Sequence, residues 1–253
     1  LVSAYELAAK HAMAYHIHIL ESKIQAVTGH EFYGKTLIGH MNDIGALGRR
    51  TTIAHSVWVT DEDIRMMADA GSTVVHNTIS NQKLCVGIMP FRRMMDAGIT
   101  IGLGSDGIST NDTPRIFDVM KAAALIHKVS TPDFPQGPST TEILRAGTIN
   151  GARTALIDDE TGSLEVGKKA DLQVVDMHRL GLTPMNDPVT TLVYHGHAKD
   201  VEMVMVNGEA VVTGGRVQTA DEDELLTRAG VAADAAWQRF AQRYGDFVAP
   251  APV

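Results

Sequence analysis

The chain has 253 residues, 44% apolar and 21% charged, the usage of an ordinary globular domain, which excludes a disordered or fibrous chain. Lys and Arg number 22 against 30 Asp and Glu, a formal net charge of -8 without a basic block, so the clustered cations that a nucleic-acid partner needs are missing. The single cysteine, Cys85, has no partner for an intramolecular disulfide, and no run reaches the ~18 to 20 apolar residues of a membrane span; a cytoplasmic setting is expected.

In chain order, residues 3–13 have helical spacing and residues 15–20 (YHIHIL) alternate with period two, a helix and then a strand. Residues 51–56 (TTIAHS) read as a second, buried strand. Thr60-Asp61-Glu62-Asp63 opens a helix with a capping-box-like start, expected to run to Ala70 and stop at a left-handed Gly71. The unit then repeats: 72–76 (STVVH) is a strand, 90–97 a helix ended by Gly98, and 99–103 (ITIGL) a strand leading into Gly104-Ser105-Asp106-Gly107. Thr113-Pro114, a cap with proline at the first helical position, predicts a helix to about Lys128. Four βα units in series imply a parallel sheet flanked by helices, the α/β class. Beyond a Pro- and Gly-rich linker at 131–139, segment 140–156 predicts one further helix. Short β runs with an Asn207-Gly208 hairpin signal fill 162–217 and predict a separate small β domain. Over 221–247, Leu225, Leu226, Ala229, Ala233, Ala236, Trp237, Phe240 and Tyr244 share one helical face, expected to pack back on the body.

The functional signal lies in where the titratable residues fall. His16 and His18 sit at i and i+2 of one strand and so share a face, with Glu21 at the strand exit. His55 ends the second strand, His76 the third, and Asp106 follows the fourth. The C-terminal ends of the strands are where an α/β barrel binds its ligands. A lone strand-end histidine is ordinarily a hydrogen-bonded structural residue, and His11, His30, His40, His127, His178, His195 and His197 are read that way. Four successive strand ends are another matter, because buried titratable groups are costly unless paired or metal-bound. Imidazoles with a carboxylate suit Zn²⁺ or Fe²⁺ with one position open to water, and a Glu outside the ligand set would move protons. Residues 102–107 also spell a GxGxxG after a strand. Residues 108–112 separate it from the Thr113 cap, so no helix is expected to start on its third glycine, and no second strand ending in an acid follows at the dinucleotide spacing. The Met66-Met67 and Met94-Met95 pairs are read as helix packing.

IHILES (17–22), AHSVWVTDEDI (54–64), VVHNTISNQKLCVGIMP (74–90), GLGSDGISTND (102–112) and GSLEVGKKADLQVVD (162–176) resemble, in that order, the amidohydrolase superfamily. Within it they look like the aminohydrolase and chlorohydrolase branch of adenosylhomocysteine and methylthioadenosine deaminases, cytosine and guanine deaminases, and triazine hydrolases. The resemblance runs from Tyr15 to about Val217. It implies a (β/α)8 TIM barrel, of which strands five to eight are present here, with a small β-sandwich. Residues 1–157 would form the C-terminal half of the barrel, 158–217 the sandwich domain, and 218–253 a helix packed on the body. It further implies one divalent metal, zinc first and iron second, with His18 and Asp106 as ligands and His55 as a possible third. Glu21 would shuttle protons, His55 hold the attacking water, and Asp106 take that water's proton. His76, Asn77 and Asn81 would line the substrate side.

The family's first barrel strand carries a His-x-His pair. His16-Ile17-His18 is not read as that pair, because TTIAHS follows after only one expected helical stretch. Strands one to four are therefore expected to lie outside this chain, whose opening LVSAYELAAKH has neither an initiator Met nor a signal-peptide layout. Expected partners are a small heterocyclic substrate and a second copy or the missing half, with neither nucleic acid nor membrane. The implied activity is hydrolytic deamination of an amino-substituted N-heterocycle of purine, pyrimidine, pterin or triazine type. Its rivals are release of chloride or an alkylamine from such a ring, and a non-catalytic scaffold fragment.

Overall fold

The computed structural model describes residues 1–245. Helix α1 (Val2–Lys10) leads into β1 (Tyr15–Ile19), followed by α2 (Lys23–Tyr33), α3 (Leu37–Asp43), β2 (Thr51–His55), α4 (Asp61–Ala70) and β3 (Thr73–His76). Then come α5 (Thr78–Lys83), α6 (Phe91–Asp96), β4 (Ile101–Leu103), α7 (Ile108–Asn111), α8 (Ile116–Ile126), α9 (Thr140–Ala146) and α10 (Ile149–Ala155). The four strands form a parallel sheet in the order β1-β2-β3-β4, with Ile17 opposite Ile53 and Val74 opposite Ile101. Ile53, Val74 and Ile101 are at most 2% exposed and share a core with Ile38, Met41, Met67, Phe91 and Met94 from the flanking helices. All five positions of β2 are buried, as expected of an inner strand covered on both faces. The opposite face takes α10, whose Asn150 Nδ2 donates to Ile101 O and whose Thr154 O accepts from buried Thr52 Oγ1.

Local signals account for several boundaries. Thr60 and Asp63 form the capping box of α4, and Gly71 ends it at φ 72°. Others differ from expectation. Two helices, α2 and α3, separate β1 from β2 instead of one stretch. Thr113 does not cap α8: its Oγ1 accepts from the Arg115 amide, closing a turn, and the helix starts only at Ile116. A helix does open after Gly107, the four-residue α7. Segment 140–156 breaks into α9 and α10, because Thr148 leaves helical geometry (φ -128°, ψ -102°) after Gly147 packs against Met120.

The second sheet comprises β5 (Leu172–Val175), then, after helix α11 (Pro188–His195), β6 (Val201–Val206), β7 (Glu209–Thr213) and β8 (Arg216–Val217), all antiparallel in the order β5-β6-β7-β8. Asn207 and Gly208 take the positive φ values (51° and 84°) of the expected hairpin. Val201, Val175 and Val204 pack on the main core. Helix α12 (Glu222–Tyr244) forms as its apolar spacing predicts, but it has no buried residue, and Leu226, Val231 and Trp237 are 72%, 67% and 58% exposed. Periodicity reports that a helix has an apolar face, not which surface it meets. Asp246 and Phe247, the last residues of the expected helix, lie outside the described residues.

Candidate metal centre

The exits of the parallel strands have backbone that most residues avoid. Leu20 just after β1 (φ 54°), His55 and Ser56 at the end of β2 (74° and 49°) and Asp106 beyond β4 (59°) all take positive φ, each costing about 1 to 3 kcal/mol unless the surroundings fix it. The surroundings do: Ser56 N–H donates to Ile19 O, and the amides of Val57 and Trp58 both donate to Leu20 O. These turns aim His18, Glu21, His55 and Asp106 at one spot.

His55, fully buried, is its centre. Its Nδ1 lies 2.8 Å from Asn81 Oδ1 and its Nε2 3.4 Å from Asn77 Nδ2. An amide oxygen only accepts and an amide nitrogen only donates, so the proton sits on Nδ1 and the Nε2 lone pair faces the cluster. That lone pair meets His18 Nδ1 at 2.8 Å, Glu21 Oε2 at 3.8 Å and Asp106 Oδ2 at 3.9 Å. One donor atom each from His18, Glu21 and His55 fall within 4.8 Å of one another. Among the described residues neither Glu21 nor Asp106 forms an ion pair with Lys or Arg. Two carboxylates beside the His18 and His55 imidazoles, with no Lys or Arg paired to them among the described residues, form a donor set that a bound cation would balance. The residues fit a divalent metal.

The two carboxylates differ. Burial would raise the Asp106 carboxyl, but Ser80 Oγ donating at 2.6 Å, the Gly107 amide, His55 and Thr110 outweigh it and hold it below the ordinary value. Asp106 is a fixed anion. Glu21 is partly exposed, its carboxylate not clamped in this way, although distance groups it with the two histidines while Asp106 stands just outside that trio.

The other expected residues sit one layer behind. Asn77 and Asn81 are 3% and 2% exposed and grip His55. His76, 1% exposed, turns its Nε2 to His127 Nε2 at 2.9 Å. Burial, then the nearby His127 and His55, push His76 well below the ordinary histidine value, and burial takes His127 to about 4. His16 lies beside His18, ring centroids 6.0 Å apart, its basicity lowered by burial and by His18 and His55. Two residues of this site escaped the sequence reading. His127, taken as merely structural, props His76. Ser80 clamps Asp106, and its signal was available, since Asn77, Ser80 and Asn81 recur at helical spacing on one face leading into α5.

Parallel βα units whose strand ends converge imidazole and carboxylate donors define a metal-site α/β protein of the barrel type. The chain belongs to the amidohydrolase family: the model of that family, "Amidohydrolase family", matches residues 1–211. It is 39% identical over 234 residues to a 5'-deoxyadenosine deaminase of Methanosarcina barkeri, covering 92% of this chain and 54% of that protein. A 5-methylthioadenosine/S-adenosylhomocysteine deaminase of Caldanaerobacter subterraneus subsp. tengcongensis is 36% identical, at 87% and 51%. Among solved structures, a zinc-bound adenosine deaminase from Xanthomonas campestris superposes with TM-score 0.89 at 27% identity, over 92% of this chain and 53% of that one. Atrazine chlorohydrolase from Arthrobacter aurescens, complexed with zinc, gives 0.85 at 29%, over 90% and 50%. The chain spans about half the length of the curated relatives it matches. No helix among the described residues is long and apolar enough to cross a membrane.

Proposed function

We propose that this chain carries half of the catalytic centre of a metal-dependent deaminase acting on an amino-substituted N-heterocycle, with an adenosine derivative as the first substrate to test. The observation that carries the proposal is the convergence of His18, His55, Glu21 and Asp106 with no neutralising cation; the names of the relatives direct it to adenosine-type rings. In this reading residues 1–157 are strands five to eight of a barrel with their helices, residues 158–217 the accompanying β domain, and the remaining strands complete both.

His18 and Asp106 would hold the metal, with His55 Nε2 at the third corner or on the water. A divalent ion there, zinc before iron, would lower the pKa of a bound water from ~15.7 toward ~7. His55 orients the water through a lone pair that Asn81 fixes, Glu21 delivers its proton to the ring nitrogen, and Asp106 accepts one proton of the water as it adds at the ring carbon. Asp106 passes that proton to the exocyclic amine, the carbon–nitrogen bond breaks and ammonia leaves, and the remaining hydroxyl proton returns to Glu21 as the ring carbonyl forms, so that both of the water's protons are accounted for.

Chloride as leaving group is the rival within the same centre, favoured by the likeness to the chlorohydrolase. The discriminating experiment supplies the full-length protein, loaded with zinc, with 5'-deoxyadenosine and with a chloro-triazine. Ammonia released from the nucleoside supports deamination. Chloride alone transfers the assignment to the rival, and neither product leaves the scaffold reading.

A further inference from the structure

Asp106 opens a segment whose far end is a second left-handed aspartate. Asp106 has φ 59° and Asp112 φ 65°, a backbone region that Asp tolerates better than most residues yet still holds at a cost. Between them lie Gly107 and the four-residue α7. One helix, α5, grips both ends. Ser80 Oγ donates to Asp106 Oδ2 at 2.6 Å. Three residues on, and so on the same helical face, Lys83 Nζ donates to both carboxylate oxygens of Asp112 at 2.6 Å and to Ser109 O at 3.2 Å.

A helix as short as α7 does not hold itself in water. Lys83 supplies what its C-terminal end lacks: a cation on the Ser109 carbonyl, where unpaired carbonyls and the negative end of the dipole lie, and a counter-charge for Asp112. At its other end Thr110 Oγ1 donates to Gly107 O at 2.9 Å, the carbonyl of the residue directly after Asp106. A shift of α7 therefore reaches Asp106 through a single residue. The Lys83 and Asp112 side chains are 39% and 73% exposed, and an ion pair so exposed adds little to stability. Its effect is on geometry.

We propose that Lys83 is a positioning residue for Asp106, acting through α7. The proposal rests on the metal-centre reading and extends it outward: α5 with its N-cap Asn77 fixes His55 through Asn77 and Asn81, Asp106 through Ser80, and α7 through Lys83. The test is the zinc affinity of the full-length protein, measured by competition with a chelator of known affinity. Groups bonded directly to a metal ligand change affinity roughly 10- to 100-fold, and Lys83 is one contact further out, so Lys83→Met is expected to weaken zinc about three- to tenfold. Asp112→Asn, which removes the charge but keeps a residue at home in left-handed backbone, should do the same. The double variant should be no weaker than the worse single, because both changes break one link. The melting midpoint of the metal-free protein should move little. Lys35→Met, which removes the exposed pair with Asp43 on α3, should leave zinc affinity at the wild-type value. In the cobalt(II)-loaded protein the visible absorption bands, which report the ligand geometry, should shift with Lys83→Met and not with Lys35→Met. Unchanged zinc affinity in Lys83→Met, or a double variant weakened by the product of the two single effects, overturns the proposal and leaves the metal centre standing. A wild type that takes up no zinc overturns the metal-centre reading and this proposal with it.

Discussion

Each side chain at the centre is set by a partner whose removal has a stated consequence. Asp106→Asn removes the anion that Ser80 and Gly107 clamp, so zinc content should fall together with turnover. Glu21→Gln should keep the metal and lose roughly 10²- to 10⁴-fold in rate, the cost of a missing acid–base group. Metal analysis of both variants decides the division of labour; loss of zinc from Glu21→Gln would make Glu21 a ligand, as its distance to the two histidines allows. The buried His76–His127 pair gives a pH prediction. A histidine whose folded pKa is lowered, here His127 to about 4 from 6.5, leaves the unfolded chain binding more protons between those values. Stability is therefore intact above pH 6.5 and falls as pH drops toward 4, by about 3 kcal/mol for this group alone. Urea unfolding from pH 7 to 4 should show that slope, and His127→Gln should flatten it; equal slopes would contradict it. His18, His55 and Asp106 were legible in the sequence because a strand delivers its last residues to a known end. The His127 contact was not, because its partner lies 51 residues away and no local pattern encodes the meeting.

The strand–helix connections give the site its rigidity. Gly104, just past β4, receives no side chain for a plain reason: an added Cβ would sit 2.4 Å from Asn77 Oδ1 and 2.6 Å from Val75 Cγ1. Gly104→Ala should displace Asn77, loosen its hold on His55 and lower both the melting midpoint and zinc affinity; a variant with unchanged zinc affinity would show that Asn77 does not position His55. The capping box and glycine stop of α4 could be read directly from residues 60–71, and the Asn207-Gly208 turn likewise, because each is closed by neighbours in sequence. The break between α9 and α10 could not, since it arises where Gly147 meets Met120 of α8. The displaced start of α8 has the same lesson in miniature: Thr113 had the chemistry of a cap but spent it on the Arg115 amide.

At the scale of the whole molecule, β1 and β4 each pair with a single strand among the described residues, which leaves the two edges of the parallel sheet open there. Hydrogen exchange on this chain should leave β2 and β3 the most protected and β1 the least of the inner pair's neighbours; protection of β1 equal to that of β2 would mean that its edge is covered. The α/β class and the parallel sheet followed from the repeating βα pattern, whereas the surroundings of α12 did not, since a sequence shows an apolar face without its counterpart. The central claim is that His18, His55 and Asp106 surround one divalent ion. Crystals of the zinc-loaded full-length protein, measured at the zinc absorption edge, test it most directly. The account predicts an anomalous peak within about 2.0 to 2.2 Å of His18 and Asp106, close to His55 Nε2 and with Glu21 outside bonding distance. A peak at other histidines, or none at these strand ends, would contradict it.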